Sequence, residues 1–171
     1  MSAMPFELDP TMHPDCAPLA WLIGRWEGAG VVGYPTIESA NFGQAVEISH
    51  DGRPFLEYHS HSWILDEAGE RLQPSGTESG FFRPLPDSEV ELLLAHPTGI
   101  VEMYVGTTKP AQLELRTDSV MRSPNAKEYA AGHRLYGLVN SNLMWAMDMA
   151  AIGQSLTSHL SAELKRVDSV S

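Results

Sequence analysis

The sequence predicts an all-β fold, either an antiparallel barrel or a sandwich, with little helix. Apolar and polar residues alternate over Leu113–Thr117, and large apolar residues occupy every second position of Leu143–Met149. Residues two apart share one face of a strand, so both patterns indicate strands with one buried face. Turn sequences such as Asp51-Gly52-Arg53-Pro54 and Asp66-Glu67-Ala68-Gly69 separate such segments. A closed barrel would also leave no exposed sheet edge.

Length and composition favour one soluble domain. The chain has 171 residues and a net charge of −11, which disfavours nucleic acid and anionic membranes as partners. Cys16 is the only cysteine, so an internal disulfide and a thiolate metal site are excluded. No signal peptide or membrane-length apolar run is evident, and we expect a cytoplasmic protein.

The elements follow in order along the chain. Pro-rich residues 1–18 predict a flexible N-terminal arm, and residues 19–168 a single barrel domain. The short apolar patch Leu19–Ile23 suits a core plug, and the Gly24–Gly30 segment, Gly-x-Trp-x-Gly-x-Gly, suits a curved strand closely approached by another backbone. Asp118–Gly132 is predicted as a long rim loop. Further strands are predicted at Val46–Ser49, Phe55–Leu65, Glu78–Arg83, Val90–Ala95, Val101–Val105, Leu113–Thr117, Arg134–Val139 and Leu143–Met149.

His159 is the histidine with the most informative surroundings. It begins an apolar-patterned segment that follows, after a Gly-containing turn, the wall formed by Leu143, Trp145, Met147 and Met149. One imidazole beside a polarizable apolar wall is what a haem requires. The competing interpretation is a core histidine that hydrogen-bonds to backbone.

Other candidate chemistry is weaker. His59 and His61 have a spacing that zinc sites use, but no third ligand is marked, and a solvated or lumen-facing pair is the alternative. His50, His96 and His133 fall at loops or strand ends and are expected on the surface. No acid/base dyad or nucleophile elbow can be assigned.

Several motifs in this order resemble the nitrobindin family. They span roughly Leu19–Val167 and comprise Gly24-Arg25-Trp26-Glu27-Gly28-Ala29-Gly30, Tyr34-Pro35-Thr36-Ile37, Glu78-Ser79-Gly80-Phe81-Phe82-Arg83-Pro84, Thr98-Gly99-Ile100-Val101-Glu102 and His159-Leu160-Ser161-Ala162-Glu163-Leu164. The resemblance implies a compact antiparallel barrel similar to lipocalins and fatty-acid-binding proteins, with haem b near its mouth.

The resemblance also implies an activity and site residues. His159 corresponds to the family's proximal iron ligand and is the predicted catalytic and metal-binding residue. Thr36 and Lys127 correspond to positions near the haem edge. Ferric haem in this family isomerises peroxynitrite to nitrate, and ferrous haem binds nitric oxide; a homodimer is also considered.

Two departures from the family pattern bear on the site. Some relatives carry a distal histidine just before the Glu-x-Gly-Phe/Tyr segment, whereas Arg71–Thr77 contains none, leaving Leu72 or Gln73 to cover the iron. The distal side is therefore expected to be apolar. Strict alternation also places His159 opposite Leu160, so a bulge or turn is needed for it to reach a lumen. The sequence does not identify an acceptor for its second ring nitrogen.

Two other functions remain open at this level. A carrier of fatty acid or another apolar ligand would be favoured by a pair of arginines inside the barrel, but Arg83, Arg116 and Arg134 cannot be placed from sequence. A haem or nitric oxide sensor would pass its signal to a partner, and no additional domain or tail supports that function.

Overall fold

The computed structural model describes residues 9–167, and its architecture is a closed antiparallel β-barrel of ten strands. The predicted all-β class is confirmed, and the barrel replaces the sandwich alternative. Two 3₁₀ helices, Pro14–Leu22 and Pro86–Ser88, accompany the strands. The strands are β1 (Gly24–Tyr34), β2 (Ile37–Ser49), β3 (Leu56–Leu65), β4 (Arg71–Pro84), β5 (Glu89–His96), β6 (Ile100–Lys109), β7 (Gln112–Arg122), β8 (Tyr129–Val139), β9 (Asn142–Ala151) and β10 (Thr157–Arg166).

Strand pairing follows chain order around the whole ring. Each strand pairs antiparallel with its neighbours in sequence, and β1 closes the barrel by pairing with β10 from Trp26↔Arg166 to Val32↔Leu160. Closure pairs every strand on both sides, which removes the edges that an open sheet would expose. No helix within residues 9–167 is long and apolar enough to cross a membrane.

The Gly-x-Trp-x-Gly-x-Gly segment forms the closely packed strand that its sequence predicts. Trp26 is fully buried, and its Nε1 donates a hydrogen bond to the carbonyl oxygen of Leu22 at 2.9 Å. A Cβ at Gly28 would collide with the backbone of Glu163, and one at Gly30 with the backbone of Ser161. Glycine at both positions therefore permits the close approach of β10 that closes the barrel.

The helix Pro14–Leu22 packs at one end of the barrel and buries Cys16, Leu19 and Leu22 completely. It crosses the boundary predicted between residues 1–18 and 19–168, although Met1–Leu8 and Asp168 lie outside the described residues. The division into arm and domain therefore stays a prediction.

The long rim loop predicted over Asp118–Gly132 is shorter in the structure. Strand β7 continues to Arg122 and β8 begins at Tyr129. The pairing of β6 with β7 shifts where Met103 pairs with Ser119 and Tyr104 with Thr117, which leaves Asp118 as an extra residue. This bulge interrupts the alternation on which the sequence prediction relied.

Candidate functional site

A cavity of about 610 Å³ opens at the end of the barrel opposite the helix Pro14–Leu22. This volume lies within the roughly 300–1,000 Å³ typical of pockets for small molecules and cofactors. The β5–β6 turn, the β7–β8 loop and the β9–β10 turn surround its mouth. Its apolar walls include Val32, Phe42, Ile100, Trp145, Met147, Met149, Ala151, Ile152 and Leu160. The wall predicted from alternate residues of β9 therefore lines this cavity through Trp145, Met147 and Met149.

His159 reaches the cavity because β10 contains a bulge. Ser158 pairs with Asp148 and Leu160 with Met147, so His159 is the extra residue between two consecutive pairs of β9. The bulge turns His159 and Leu160 to the same side, and both line the cavity. A bulge or a turn was expected here, since strict alternation would have separated the two side chains.

The Nδ1 atom of His159 lies 3.0 Å from the carbonyl oxygen of Gly33. A carbonyl only accepts hydrogen bonds, so Nδ1 carries the proton, and Nε2 keeps its lone pair. Nε2 makes no hydrogen bond to any residue between Asp9 and Val167. Burial lowers the pKa of His159 below 6.5, the Gly33 hydrogen bond opposing this shift, which favours the neutral ring at neutral pH.

A second irregularity places the Gly33 carbonyl beside His159. The pairing of β1 with β2 shifts between Val32 and Tyr34, with Gly33 at the shift. The Tyr34 ring meets the His159 ring edge-on at a centroid distance of 5.8 Å, and its hydroxyl donates to the carbonyl oxygen of Met149 at 2.8 Å. The imidazole is thus held by two residues of β1, and one of them, Tyr34, is itself anchored to β9.

The cavity floor contains a buried ion pair between Arg134 and Glu78, joined by two hydrogen bonds. Tyr58 donates a further hydrogen bond to Glu78 at 2.8 Å, and the guanidinium of Arg134 faces the rings of Tyr104 and Trp145. Burial by itself raises the pKa of Glu78, but the charge and hydrogen bonds of Arg134 outweigh burial and lower it to about 2. Glu78 is therefore ionised at neutral pH, and its charge is matched by Arg134.

The surface position predicted for three histidines is wrong: His50 and His133 are only 12% and 20% exposed, and His96 belongs to the cavity. Its ring is 17% exposed, and Nε2 lies 3.1 Å from Oε2 of Glu102. Tyr129 donates to the other oxygen of Glu102 at 3.0 Å. The chain turns at Pro97 after β5 ends at His96, and the ring packs inward against Glu102, whose side chain is only 2% exposed. With Glu78 and Arg134, these residues make part of the cavity polar where an apolar distal side was expected.

The structure brings two of the three predicted haem-contacting residues to one cavity. His159 lines it, and Lys127 lies at its mouth in the β7–β8 loop with an exposed side chain. Thr36 is exposed in the turn between β1 and β2 and is outside the cavity lining. Leu72 and Gln73, expected to cover the iron, are also exposed and outside the lining, while Ser75, Gly76 and Thr77 further along β4 contribute to it.

His59 and His61 point away from the lumen on β3 and are exposed. His59 Nδ1 hydrogen-bonds to the Ser79 hydroxyl at 2.8 Å. Within residues 9–167, no group of three or more His, Cys, Asp or Glu side chains is placed to hold a metal ion. The His59/His61 pair therefore has no third ligand among the described residues.

Glu78, Glu102 and Arg134 are site residues that were not predicted from the sequence. Each shares a strand face with a buried aromatic residue: Glu78 with Phe82, Glu102 with Tyr104, and Arg134 with Tyr136. This period-two spacing could have predicted that the three side chains face the lumen. It could not have predicted that they lie around one cavity, because that depends on the register between β4, β6 and β8.

Comparisons with known proteins identify similar chains over nearly the whole length. A family model described as THAP4-like, heme-binding beta-barrel domain matches residues 15–166. A protein from Nocardioides sp. named peroxynitrite isomerase is 52% identical over 163 residues, covering 95% of this chain and 99% of its own. A ferric nitrobindin-like protein from Kineococcus radiotolerans is 46% identical, covering 96% of this chain and 99% of its own. The crystal structure of Rv2717c from M. tuberculosis superposes with a TM-score of 0.83 at 35% identity, covering 92% of this chain and 99% of that one.

Proposed function

Because the chain belongs to the family of THAP4-like haem-binding β-barrel domains, we propose that it binds haem b through His159 and isomerises peroxynitrite to nitrate. Relatives named peroxynitrite isomerase at 52% and 49% identity support this activity. His159 is proposed as the only protein ligand to the iron. The single observation that carries this assignment is the hydrogen bond from His159 Nδ1 to Gly33. It leaves the lone pair of Nε2 available to bind iron inside an apolar-walled cavity.

The residues present fit a haem. Large apolar side chains from β1, β2, β6, β9 and β10 line much of the cavity, and a macrocycle of mostly apolar carbon is suited to such walls. When bound, haem would supply a ferric iron that catalyses the isomerisation of peroxynitrite to nitrate, in which the O–O bond breaks and a new N–O bond forms. The chain's own residues supply position and exclusion of water: His159 fixes the iron, and the β9 wall shields one side of the cavity.

Lys127 and Thr36 are proposed to contact the haem edge, as the family resemblance implies. Lys127 contributes a positive charge at the mouth of the cavity, which suits the haem carboxylates. Thr36 lies in the β1–β2 turn, three residues after Gly33. Its hydroxyl would contact the haem from that turn.

The arginine placement favours haem over a fatty acid. Arg134 lines the cavity, but its guanidinium is engaged by Glu78. Arg83 pairs with Glu91 and Arg116 with Glu114, and both arginine side chains are more than half exposed. The arginine pair that would bind a lipid carboxylate in the lumen is therefore not formed by these three residues.

The absorption spectrum of the full chain after haem addition tests cofactor binding, and stopped-flow mixing with peroxynitrite tests activity. We expect a Soret band, faster peroxynitrite decay with ferric holoprotein than with apoprotein, and nitrate as the main product. Free haem at equal concentration is the control. Equal decay rates for holoprotein and apoprotein would reject the isomerase and leave haem or lipid carriage as the better account.

Further features of this function are proposals of the same kind. Nitric oxide is proposed to bind the ferrous form, and the protein is proposed to act in the cytoplasm and to assemble as a homodimer. The net charge of −11 supports the prediction that nucleic acid and anionic membranes are not partners. Nitric oxide titration and light scattering test binding and assembly separately.

A further inference from the structure

His96 lies on the barrel wall opposite His159. In the closed ring of ten strands, β5 and β10 are five positions apart in both directions. His96 is the last residue of β5, and His159 lies near the start of β10, so the antiparallel arrangement brings both to the same end of the barrel. Both residues line the same cavity.

The ring of His96 is held by a chain of hydrogen bonds. Its Nε2 lies 3.1 Å from Oε2 of Glu102, and Tyr129 donates to Oε1 of Glu102 at 3.0 Å. The Tyr129 hydroxyl in turn lies 3.2 Å from that of Tyr104. Glu102 and Tyr129 are buried. The hydrogen bonds that hold the His96 ring are therefore shielded from competition by water.

The other ring nitrogen of His96 is not used in this way. Nδ1 lies 3.7 Å from Oε2 of Glu78, beyond hydrogen-bond distance. The oxygens of Glu78 already accept from Arg134 and Tyr58. Nδ1 of His96 thus makes no hydrogen bond in the described part of the chain, although its residue lines the cavity.

The Glu102 carboxylate only accepts hydrogen bonds, so Nε2 of His96 carries a proton and Nδ1 of the neutral ring is left as an acceptor. We propose that Nδ1 of His96 accepts a hydrogen bond from a small ligand held in the cavity on the side opposite His159, and thereby orients it. The proposal rests on the proposed function, in which His159 binds the iron. The ligands in question are the protonated forms of small oxyanions such as peroxynitrite, whose hydroxyl group supplies the proton that Nδ1 accepts. Glu102 and Tyr129 also line the cavity, and we assign them a positioning role because their hydrogen bonds fix the His96 ring.

The carbon monoxide complex of the ferrous, haem-loaded full chain provides a direct test. The C–O stretching frequency responds to hydrogen bonds and charge beside the bound molecule, and infrared spectroscopy measures it independently of catalysis. We expect His96→Leu to shift this frequency. His96→Asn keeps a polar atom near the position of Nδ1 and should restore part of the wild-type value. Tyr129→Phe should cause a smaller shift in the same direction as His96→Leu.

His133 offers a matched control. Its Nε2 lies 3.1 Å from Glu114 and its Nδ1 lies 3.7 Å from Asp148, which repeats the pattern around His96. It does not line the cavity. His133→Leu removes the same kind of group and should leave the C–O frequency unchanged.

Loss of one hydrogen bond to the ligand should also lower the rate of nitrate formation about 2- to 10-fold in His96→Leu. An unchanged C–O frequency in both His96 variants, with the Soret band intact, would overturn the role of His96. A shifted frequency in a protein that fails to isomerise peroxynitrite would uphold the role of His96 and reject the proposed reaction. If His96→Leu does not fold, the His96→Asn and Tyr129→Phe spectra decide the question.

Discussion

Nδ1 of His159 donates a hydrogen bond to the carbonyl oxygen of Gly33 at 3.0 Å, although the two residues are 126 positions apart in the chain. Two irregularities meet at this contact, the bulge at His159 in β10 and the register shift at Gly33 between β1 and β2. Together they select the tautomer of the ring and direct it into the cavity. A hydrogen bond to the second nitrogen is the usual means by which proteins orient a metal-binding histidine.

His159→Ala should abolish or grossly change the Soret band, because it removes the proposed iron ligand. The measurement is haem titration followed by absorbance. The double variant His59→Ala/His61→Ala is the control, since both residues are exposed on the outer face of β3. Loss of haem in the control variant, with retention in His159→Ala, would show that the iron site is assigned to the wrong histidine.

Haem binding should depend on pH in a defined direction. Burial lowers the pKa of His159 below 6.5, so the folded chain keeps this ring neutral at pH 7, and protons compete with iron only under acid conditions. We expect haem affinity to change little between about pH 8 and 6.5 and to fall below that range. A titration of the Soret band that shows release centred above pH 7 would contradict the lowered pKa.

The same shift affects the stability of the apoprotein. Below about pH 6.5 the unfolded chain binds a proton at His159 more readily than the folded chain, so acid disfavours folding, and above that pH the effect vanishes. His159→Gln removes this contribution. The free energy of unfolding of wild type, measured by urea denaturation, should therefore fall more between pH 7 and pH 5 than that of the variant.

Glu78→Gln should destabilise the protein by roughly 3–5 kcal/mol, because Arg134 would keep its charge in a fully buried site without a compensating carboxylate. The pKa of Glu78 is lowered to about 2 from 4.5, so its stabilising effect is complete above pH 4.5 and is lost as pH falls toward 2. Urea denaturation at pH 7 checks the magnitude. Glu114→Gln, on the exposed Arg116 pair, should cost less than about 1 kcal/mol. Equal losses for the two variants would contradict the role assigned to burial.

Lys127→Glu should slow association with peroxynitrite at low ionic strength. Lys127 lies at the mouth of the cavity in a protein of net charge −11, so its reversal strengthens repulsion of an anion where the anion enters. Lys109→Glu makes the same charge change in a residue of the opposite end of the barrel. Stopped-flow rates should fall more for Lys127→Glu, and added salt should reduce the difference. Indistinguishable rates at low salt would show that Lys127 does not act on substrate entry.

Haem titration of single variants distinguishes the contributions of Lys127 and Thr36 to haem binding. Lys127→Gln should weaken haem binding if its ammonium contacts the haem carboxylates, and Thr36→Val tests the hydroxyl in the exposed β1–β2 turn. Haem titration of the two variants measures each contribution without peroxynitrite.

The sequence by itself determined the central parts of most strands and the wall of the cavity, although β2, β4 and β7 extend well beyond their predicted bounds. Period-two alternation over Leu143–Met149 identifies Trp145, Met147 and Met149 as residues of one face, and the structure places all three in the cavity lining. Gly28 and Gly30 flank the close approach to β10 that their spacing predicts. Such features are local, because a strand fixes the direction of each side chain relative to its neighbours.

Only the tertiary structure decided how these faces meet. The Gly33 carbonyl, the inward ring of His96 and the Arg134–Glu78 pair each depend on the register between strands that are distant in sequence. The bulges at His159 and Asp118 reverse the alternation locally, and such a reversal leaves no mark in composition. Local sequence patterns therefore predict the strands of this chain. Closure of the barrel decides which partner each buried polar group meets, because a buried polar group is stable only where it has a hydrogen-bond partner.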